Sequence, residues 1–292
     1  RSTLCSSSAA SDVYKRQMWG KSAKTLEKIE NARAEGIEVV ADQYPYTATS
    51  TTLTVVFPAW SLAGGMDELK KRLDDPIQRQ KIKDGIVWNI VHDRGGGDPA
   101  SIVVANYPPN TEYNGMNLGE ITASKGIDPT PENAADVLMD MVYAGGGSGI
   151  YHCLNEEDVK RYMAHPQVMH ASDGSTFECG EAQPHPRSYG TYPRILGRYV
   201  RDKGVLSLPE SIRKMTPLPA SVLGLKDRGK IKKGFWADLV IFDPNTLIDN
   251  ATFVAPRQYP TGITHVMVNG QVAIENGKHT KSLAGKILKH TP

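Results

Sequence analysis

The chain has 292 residues, 39% of them apolar and 23% charged, with a net charge of +2. That length suits one large domain or two ordinary ones, and the composition is that of a globular protein. The near-neutral balance implies neither nucleic acid nor an anionic membrane as partner, and no apolar run reaches the roughly 18 residues of a membrane span. Three scattered cysteines, Cys5, Cys153 and Cys179, point away from a disulfide scaffold and toward a reducing, cytoplasmic compartment.

Residues 1–17 are Ser-rich, with neither helical nor strand period and without the apolar segment of a signal peptide. They resemble translated adaptor sequence. The expectation is a non-native tail, with the natural protein continuing upstream and the present chain forming its C-terminal part. Residues 23–35 read as a helix, with Leu26, Ile29 and Ala32 on one side, Ser22 as its cap and Gly36 as its stop. Residues 37–44 read as a strand running into a polar, aromatic loop over 45–52. Helix, glycine, strand and loop make one step of a parallel sheet. That step puts Tyr44, Tyr46 and Ser50 at the strand's C-terminal end.

Residues 53–150 read as a long excursion. It holds a charged helix over 66–83 interrupted at Pro76, strand-like runs at 86–91 and 101–105, and helices over 117–125 and 131–143. The glycine run Arg94-Gly95-Gly96-Gly97-Asp98-Pro99 is not a phosphate loop, because no Lys-Ser/Thr follows and Asp98 would repel phosphate. Residues 144–149 read as a flexible loop before a short strand at 150–153.

Asn155 caps a helix over 156–165, and a strand over 168–171 ends in Ser172-Asp173-Gly174. The dipeptide Asp173-Gly174 by itself reads as a turn, with the carboxylate accepting local backbone hydrogen bonds. The Gly-, Pro-, His- and Arg-rich loop after it suggests chemistry instead, since α/β barrels carry reacting groups at the C-terminal ends of their strands. Residues 192–201 read as helix or turn. Residues 207–214 form a helix with capping-box spacing at Ser207 and Glu210, and one further turn follows at 220–223. From residue 229 the pattern becomes antiparallel, with strands at 264–268 and 271–275 around the hairpin signal Asn269-Gly270. Trp236 and Phe242 are expected in the core of that sheet.

Four stretches together carry a resemblance: Trp19-Gly20-Lys21-Ser22, Ala41-Asp42-Gln43-Tyr44-Pro45-Tyr46-Thr47-Ala48, Met169-His170-Ala171-Ser172-Asp173-Gly174 and His185-Pro186-Arg187-Ser188-Tyr189-Gly190-Thr191-Tyr192-Pro193-Arg194. With Gly234-Phe235-Trp236-Ala237-Asp238, Gln258-Tyr259-Pro260 and Val268-Asn269-Gly270 in the tail, the chain resembles the D-aminoacylase (N-acyl-D-amino-acid deacylase) family of metal-dependent amidohydrolases over about residues 19–290. The His-Pro-Arg block is fairly specific to that family, whereas the tail elements are shared across the superfamily. The resemblance implies an α/β fold: the C-terminal part of a TIM-like (β/α)8 barrel with an inserted subdomain, plus a small antiparallel β-sandwich portion. Residues 18–228 would be the partial barrel, with the inserted subdomain at about 53–150, and residues 229–292 the small β domain. The strands ending at Tyr44 and Asp173 would be the seventh and eighth of the barrel.

The resemblance also implies a zinc site at the barrel mouth, with a His-x-His pair, a Cys and two further histidines on earlier strands. No His-x-His occurs here, and of the metal-site residues the resemblance implies, only the last-strand aspartate, Asp173, is present. His152, Cys153, His170, Cys179 and His185 lack the spacing of zinc ligands. Asp173 is thus the expected catalytic acid/base and the one metal ligand of this chain, while Arg187 is expected to take the α-carboxylate of an N-acyl-D-amino acid through paired hydrogen bonds. Tyr44 and Ser50 match substrate-touching positions and can donate neutral hydrogen bonds. His185 is expected to brace the loop. The expected reaction is zinc-dependent hydrolysis of N-acyl-D-amino acids, with this chain by itself inactive. Two alternatives stay open: another amidohydrolase, hydantoinase-like or dihydroorotase-like, or a non-catalytic half-barrel module.

Overall fold

The computed structural model describes residues 18–176 and 182–288. The tail at 1–17, Cys5 and Cys179 lie outside them. Helix α1 (Ser22–Ala34) leads to strand β1 (Ala41–Gln43), shorter than the expected 37–44. Lys21, not Ser22, holds the cap position, and it makes no side-chain cap. The Ser22 hydroxyl donates instead to Asp158, a carboxylate buried 136 residues away that also accepts from the Gly20 amide at 2.7 Å. A tertiary partner outcompetes the local cap.

Strand β2 (Thr49–Thr52) occupies the second half of the expected loop. Its run of Ser and Thr suits a pleated backbone, and it pairs antiparallel with β4 (Ser148–Tyr151), Ser50 opposite Ile150. Strand β4 therefore begins inside the glycine-rich stretch expected to be flexible. Helices α2 (Gly65–Asp74) and α3 (Pro76–His92) follow, separated where Pro76 takes the first helical position and Asp75 accepts from the amides of Ile77 and Gln78. The strand-like reading of 86–91 is overturned: these residues lie in α3, where Ile82, Ile86 and Ile90 are fully buried at four-residue spacing. A short apolar run fits either period, and the helix wins because its buried members stack along one face. Gly85 lets that face approach Pro58, since a Cβ would come within 2.8 Å of the proline ring.

Strand β3 (Ile102–Asn106), α4 (Leu118–Ser124) and α5 (Pro131–Tyr143) follow their sequence signals. Asn117 and Glu120 exchange the two bonds of a capping box at 2.9 and 2.8 Å. The sheet order is β2-β4-β3, and residues between Leu53 and Cys153 close around one apolar cluster. Cys153 lies in it as a free thiol, which burial pushes up to about 12. That makes it a small apolar residue rather than a nucleophile.

Helix α6 (Glu156–Ala164), capped by Asn155, leads to β5 (Val168–His170). Strands β1 and β5 pair in parallel, Ala41 with Val168, Asp42 with Met169 and Gln43 with His170. Ala41 and Val168 pack on Leu26 and Ile29 of α1, and the Gln43 amide donates to the Val159 carbonyl of α6 at 3.0 Å. One face of this pair is therefore covered by helices, and alternation sets Asp42 on the other. Helix α7 (Arg187–Arg194) runs without a break into a π-helical segment (Ile195–Asp202), starting five residues earlier than expected. Helices α8 (Leu208–Met215) and α9 (Pro217–Val222) complete this part.

The last unit is a four-stranded antiparallel sheet in the order β6 (Leu239–Phe242), β7 (Ile263–Val268), β8 (Gln271–Glu275) and β9 (Lys278–His279). Asn269 and Gly270 have φ of +49° and +81°, as a two-residue primed hairpin turn requires. Trp236 is not a core residue of this sheet. It remains 42% exposed, with Arg228 and Lys286 over its ring and its indole nitrogen donating to Asp227. Flanking cations cover its faces in place of apolar side chains.

Candidate active site

Asp173 lies three residues after the end of β5, in a left-handed conformation with φ of +46°, which is rare outside glycine and clusters at functional sites. The turn is held against α7. A Cβ on Gly174 would lie 3.0 Å from the Ser188 Cα, and the Ser175 amide donates to the Ser188 hydroxyl at 3.1 Å. Only a glycine after Asp173 lets the strand end approach the helix so closely.

Arg187 is the first residue of α7, and its Nη2 lies 2.9 Å from the Asp173 Oδ2. The guanidinium is largely enclosed, with the side chain 10% exposed, while the Asp173 side chain is 68% exposed. Tyr44 forms the floor, its ring 4.9 Å from the guanidinium carbon. Ser50 contributes through its main-chain carbonyl, which accepts from Arg187 Nη2 at 3.5 Å. The four residues singled out from the sequence therefore meet in one place, two strand ends and a helix N-terminus apart in the chain. The bond that ties Ser50 to Arg187 is made by its backbone carbonyl, not by the hydroxyl expected to face substrate.

His185 holds the arginine from behind. Its Nδ1 accepts from the Arg187 amide at 3.0 Å and its Nε2 faces the Ala48 carbonyl at 3.0 Å. An acceptor role for Nδ1 leaves the proton on Nε2, donated to Ala48. Burial first, and the neighbouring Arg187 second, lower its pKa to about 3, so the ring is neutral at physiological pH. Tyr46 and Phe253 pack edge-on against it.

Asp42 was not singled out from the sequence. Burial of its carboxyl, then the negative charge of Asp173, raise its pKa. The alternation of β1, which turns Asp42 away from the helices, was the available signal. His170 points the other way. It is buried toward the helices, its pKa is lowered to about 3 by burial and then by Lys214, and neither ring nitrogen has a hydrogen-bond partner among the described residues. Among the described residues no group of three or more His, Cys, Asp or Glu could hold a metal. The residues present do not by themselves fit a zinc centre, since Asp173 supplies one exposed carboxylate, His185 has both ring nitrogens engaged and His170 faces the helices.

A protein-family profile described as the amidohydrolase family matches residues 117–274, a span that includes Asp173 and Arg187. The chain is similar to the N-acyl-D-glutamate deacylase of Alcaligenes xylosoxydans xylosoxydans, 38% identical over 252 residues, covering 86% of this chain and 42% of that protein. It is similar to the D-aminoacylase of the same organism, 34% identical over 273 residues, covering 94% and 46%. Among solved structures it superposes on a D-aminoacylase that defines a novel subset of amidohydrolases, with a TM-score of 0.70 at 32% identity, covering 92% of this chain and 46% of that one. It also superposes on the N-acyl-D-glutamate deacylase of Bordetella bronchiseptica, complexed with zinc and a phosphonate inhibitor that mimics the reaction's tetrahedral intermediate. There the TM-score is 0.63 at 33% identity, with 87% and 44% covered. The chain spans a little under half the length of the relatives it matches. With its motifs, strand-end carboxylate and sequence similarity in agreement, the chain belongs to the amidohydrolase family and is similar within it to the N-acyl-D-amino-acid deacylases.

Proposed function

We propose that the full-length protein hydrolyses N-acyl-D-amino acids to a D-amino acid and a carboxylate, in the cytoplasm and with zinc as cofactor. The observation that carries this reading is the Asp173–Arg187 pair at 2.9 Å over the Tyr44 ring, an enclosed guanidinium whose partner is a solvent-facing carboxylate. Such a partner is exchangeable. A substrate carboxylate can replace Asp173 on Arg187, gain two charge-assisted hydrogen bonds, and leave Asp173 free beside the acyl group. Asp173 then accepts a proton from the attacking water and returns it to the departing amine. Carboxylate at Arg187, acyl carbon near Asp173 and side chain in a third direction are three fixed points, enough to select one hand.

Zinc enters the proposal from the similarity to the Bordetella bronchiseptica deacylase, which is complexed with that ion. Asp173 is the residue of this chain proposed to face it. In the same reading β1 and β5 are the seventh and eighth strands of a TIM-like barrel, residues 53–150 an inserted subdomain, and residues 229–292 the small β domain. The test is hydrolysis by the full-length protein of paired N-acetyl-D- and N-acetyl-L-amino acids, with and without chelator. D-selective, chelator-sensitive release of the amino acid is expected. Equal rates on both hands, or turnover of cyclic ureides alone, would remove the deacylase reading.

A further inference from the structure

We propose that Asp249, on the segment between β6 and β7, is a positioning residue for the reaction: it anchors the C-terminal half of α7 so that Arg187, at the other end of that helix, is presented to the substrate's carboxylate. The inference rests on the deacylase reading above. Asp249 makes its ion pairs with Arg194 and Arg198 rather than with Asp173 or Arg187, and no motif in the chain marks it.

The Asp249 side chain is fully buried. Its Oδ1 lies 2.6 Å from Arg198 Nε and its Oδ2 3.1 Å from Arg194 Nη1, and Arg198 Nη2 reaches its main-chain carbonyl at 3.4 Å. Both arginines belong to the stretch that begins at Arg187: Arg194 ends α7, and Arg198 lies in the π-helical segment, a winding frequent at functional sites. Gly190 makes the third contact. A Cβ there would fall 2.9 Å from the Asp249 Cβ and 3.0 Å from the Tyr46 hydroxyl, so helix, aspartate and tyrosine are in direct apposition.

The clamp reaches Arg187 by two routes. Arg194, oriented by Asp249, donates from Nε to the Pro45 carbonyl at 2.8 Å, which fixes the residue after Tyr44 and so the floor under the Arg187 guanidinium. The Arg194 guanidinium also lies 4.7 Å from the centre of the Tyr46 ring, and the Tyr46 hydroxyl donates to the Pro186 carbonyl at 3.3 Å, one residue before Arg187. Floor and main-chain seat of the substrate-binding arginine therefore hang on one buried carboxylate. A buried ion pair is a weak device for stability alone, because apolar replacements often serve as well. Its directional bonds are what the α7 end and the Tyr44–Tyr46 turn have in common.

The test uses two variants of the full-length protein. Asp249→Asn keeps the shape and removes the charge, and Arg194→Lys keeps the charge and removes the Nε donor to Pro45. For Asp249→Asn the KM for an N-acetyl-D-amino acid is expected to rise about tenfold with kcat within about twofold, and the preference for that substrate over its carboxamide to shrink by about the same factor, as a displaced binding group implies. Amide hydrogen exchange over residues 187–190 is expected to speed up about tenfold while β7 and β8 stay as in the unmodified protein. Arg194→Lys is expected to move every readout the same way by about threefold, and covers an Asp249→Asn protein that fails to fold. Unchanged exchange at 187–190 in both variants, or a lower thermal midpoint with KM unchanged, overturns the proposal. Absence of any deacylase turnover in the unmodified protein would remove the deacylase reading instead and leave the exchange measurement to decide this one.

Discussion

Replacing Arg187 by alanine is the sharpest test of the proposed site. The side chain is 10% exposed and pairs with a carboxylate at 2.9 Å over an aromatic floor at 4.9 Å. In the substrate complex the same guanidinium would hold the α-carboxylate. Truncating one member of an enclosed, hydrogen-bonded charge pair costs about 2–4 kcal/mol. At 1.4 kcal/mol per decade this is roughly a 30- to 1,000-fold rise in KM. Because the arginine is proposed to bind the substrate before and during reaction alike, kcat should change much less. Arg187→Lys should fall between, about tenfold in KM, since an ammonium keeps the charge but loses the two-pronged geometry and the flat stack on Tyr44. The assay is steady-state kinetics of the full-length protein on an N-acetyl-D-amino acid and on its carboxamide, which lacks the negative charge. The carboxamide should already bind poorly and lose little more in either variant. An Arg187→Ala enzyme with unchanged KM for the acid, or an equal loss on acid and carboxamide, would refute the assignment.

Asp173→Asn should lower kcat by about a hundredfold or more, the usual worth of a positioned general acid/base, with KM little changed; retention of a tenth of the activity would take the proton-transfer role away. Gly174→Ala should displace the Asp173 turn, because its new methyl meets the Ser188 backbone at 3.0 Å, which has no rotamer to yield; a crystal structure with that turn unmoved would contradict the argument. His185 and His170 both titrate near 3 in the folded protein, below the ordinary 6.5. The unfolded chain therefore binds more protons than the folded one between about pH 6.5 and pH 3, and stability present above that window is lost through it, at about 1.4 kcal/mol per pH unit for each group. The thermal midpoint should drop from pH 7 to pH 5 and drop less in His170→Gln; an identical drop would show that the histidine does not couple to folding.

Much of the local architecture was open to reading along the chain. Caps at Asn155 and Ser207 accept their backbone amides as short-range rules require. The hairpin at Asn269-Gly270 and the helix break at Pro76 behave the same way. The departures share one cause. Residues 86–91 follow the helical period because Ile82, Ile86 and Ile90 face a cluster assembled from the whole stretch 53–153, and Ser22 leaves its capping role because Asp158 lies beside it in space. Trp236 meets cations where an apolar core was expected.

The candidate site divides along the same line. The order of residues alone determined that a carboxylate ends one strand, that an arginine opens the block after it, and that a tyrosine closes a strand far upstream; residue type at a strand or helix end is a local property. Folding alone decided that these ends share a rim, that Ser50 takes part through its carbonyl, that His185 is neutral behind Arg187, and that Asp249 stands at the far end of the same helix. Such facts depend on which segments lie side by side, and pairing across more than a hundred residues is set by the burial of many side chains at once, which no short window of sequence contains.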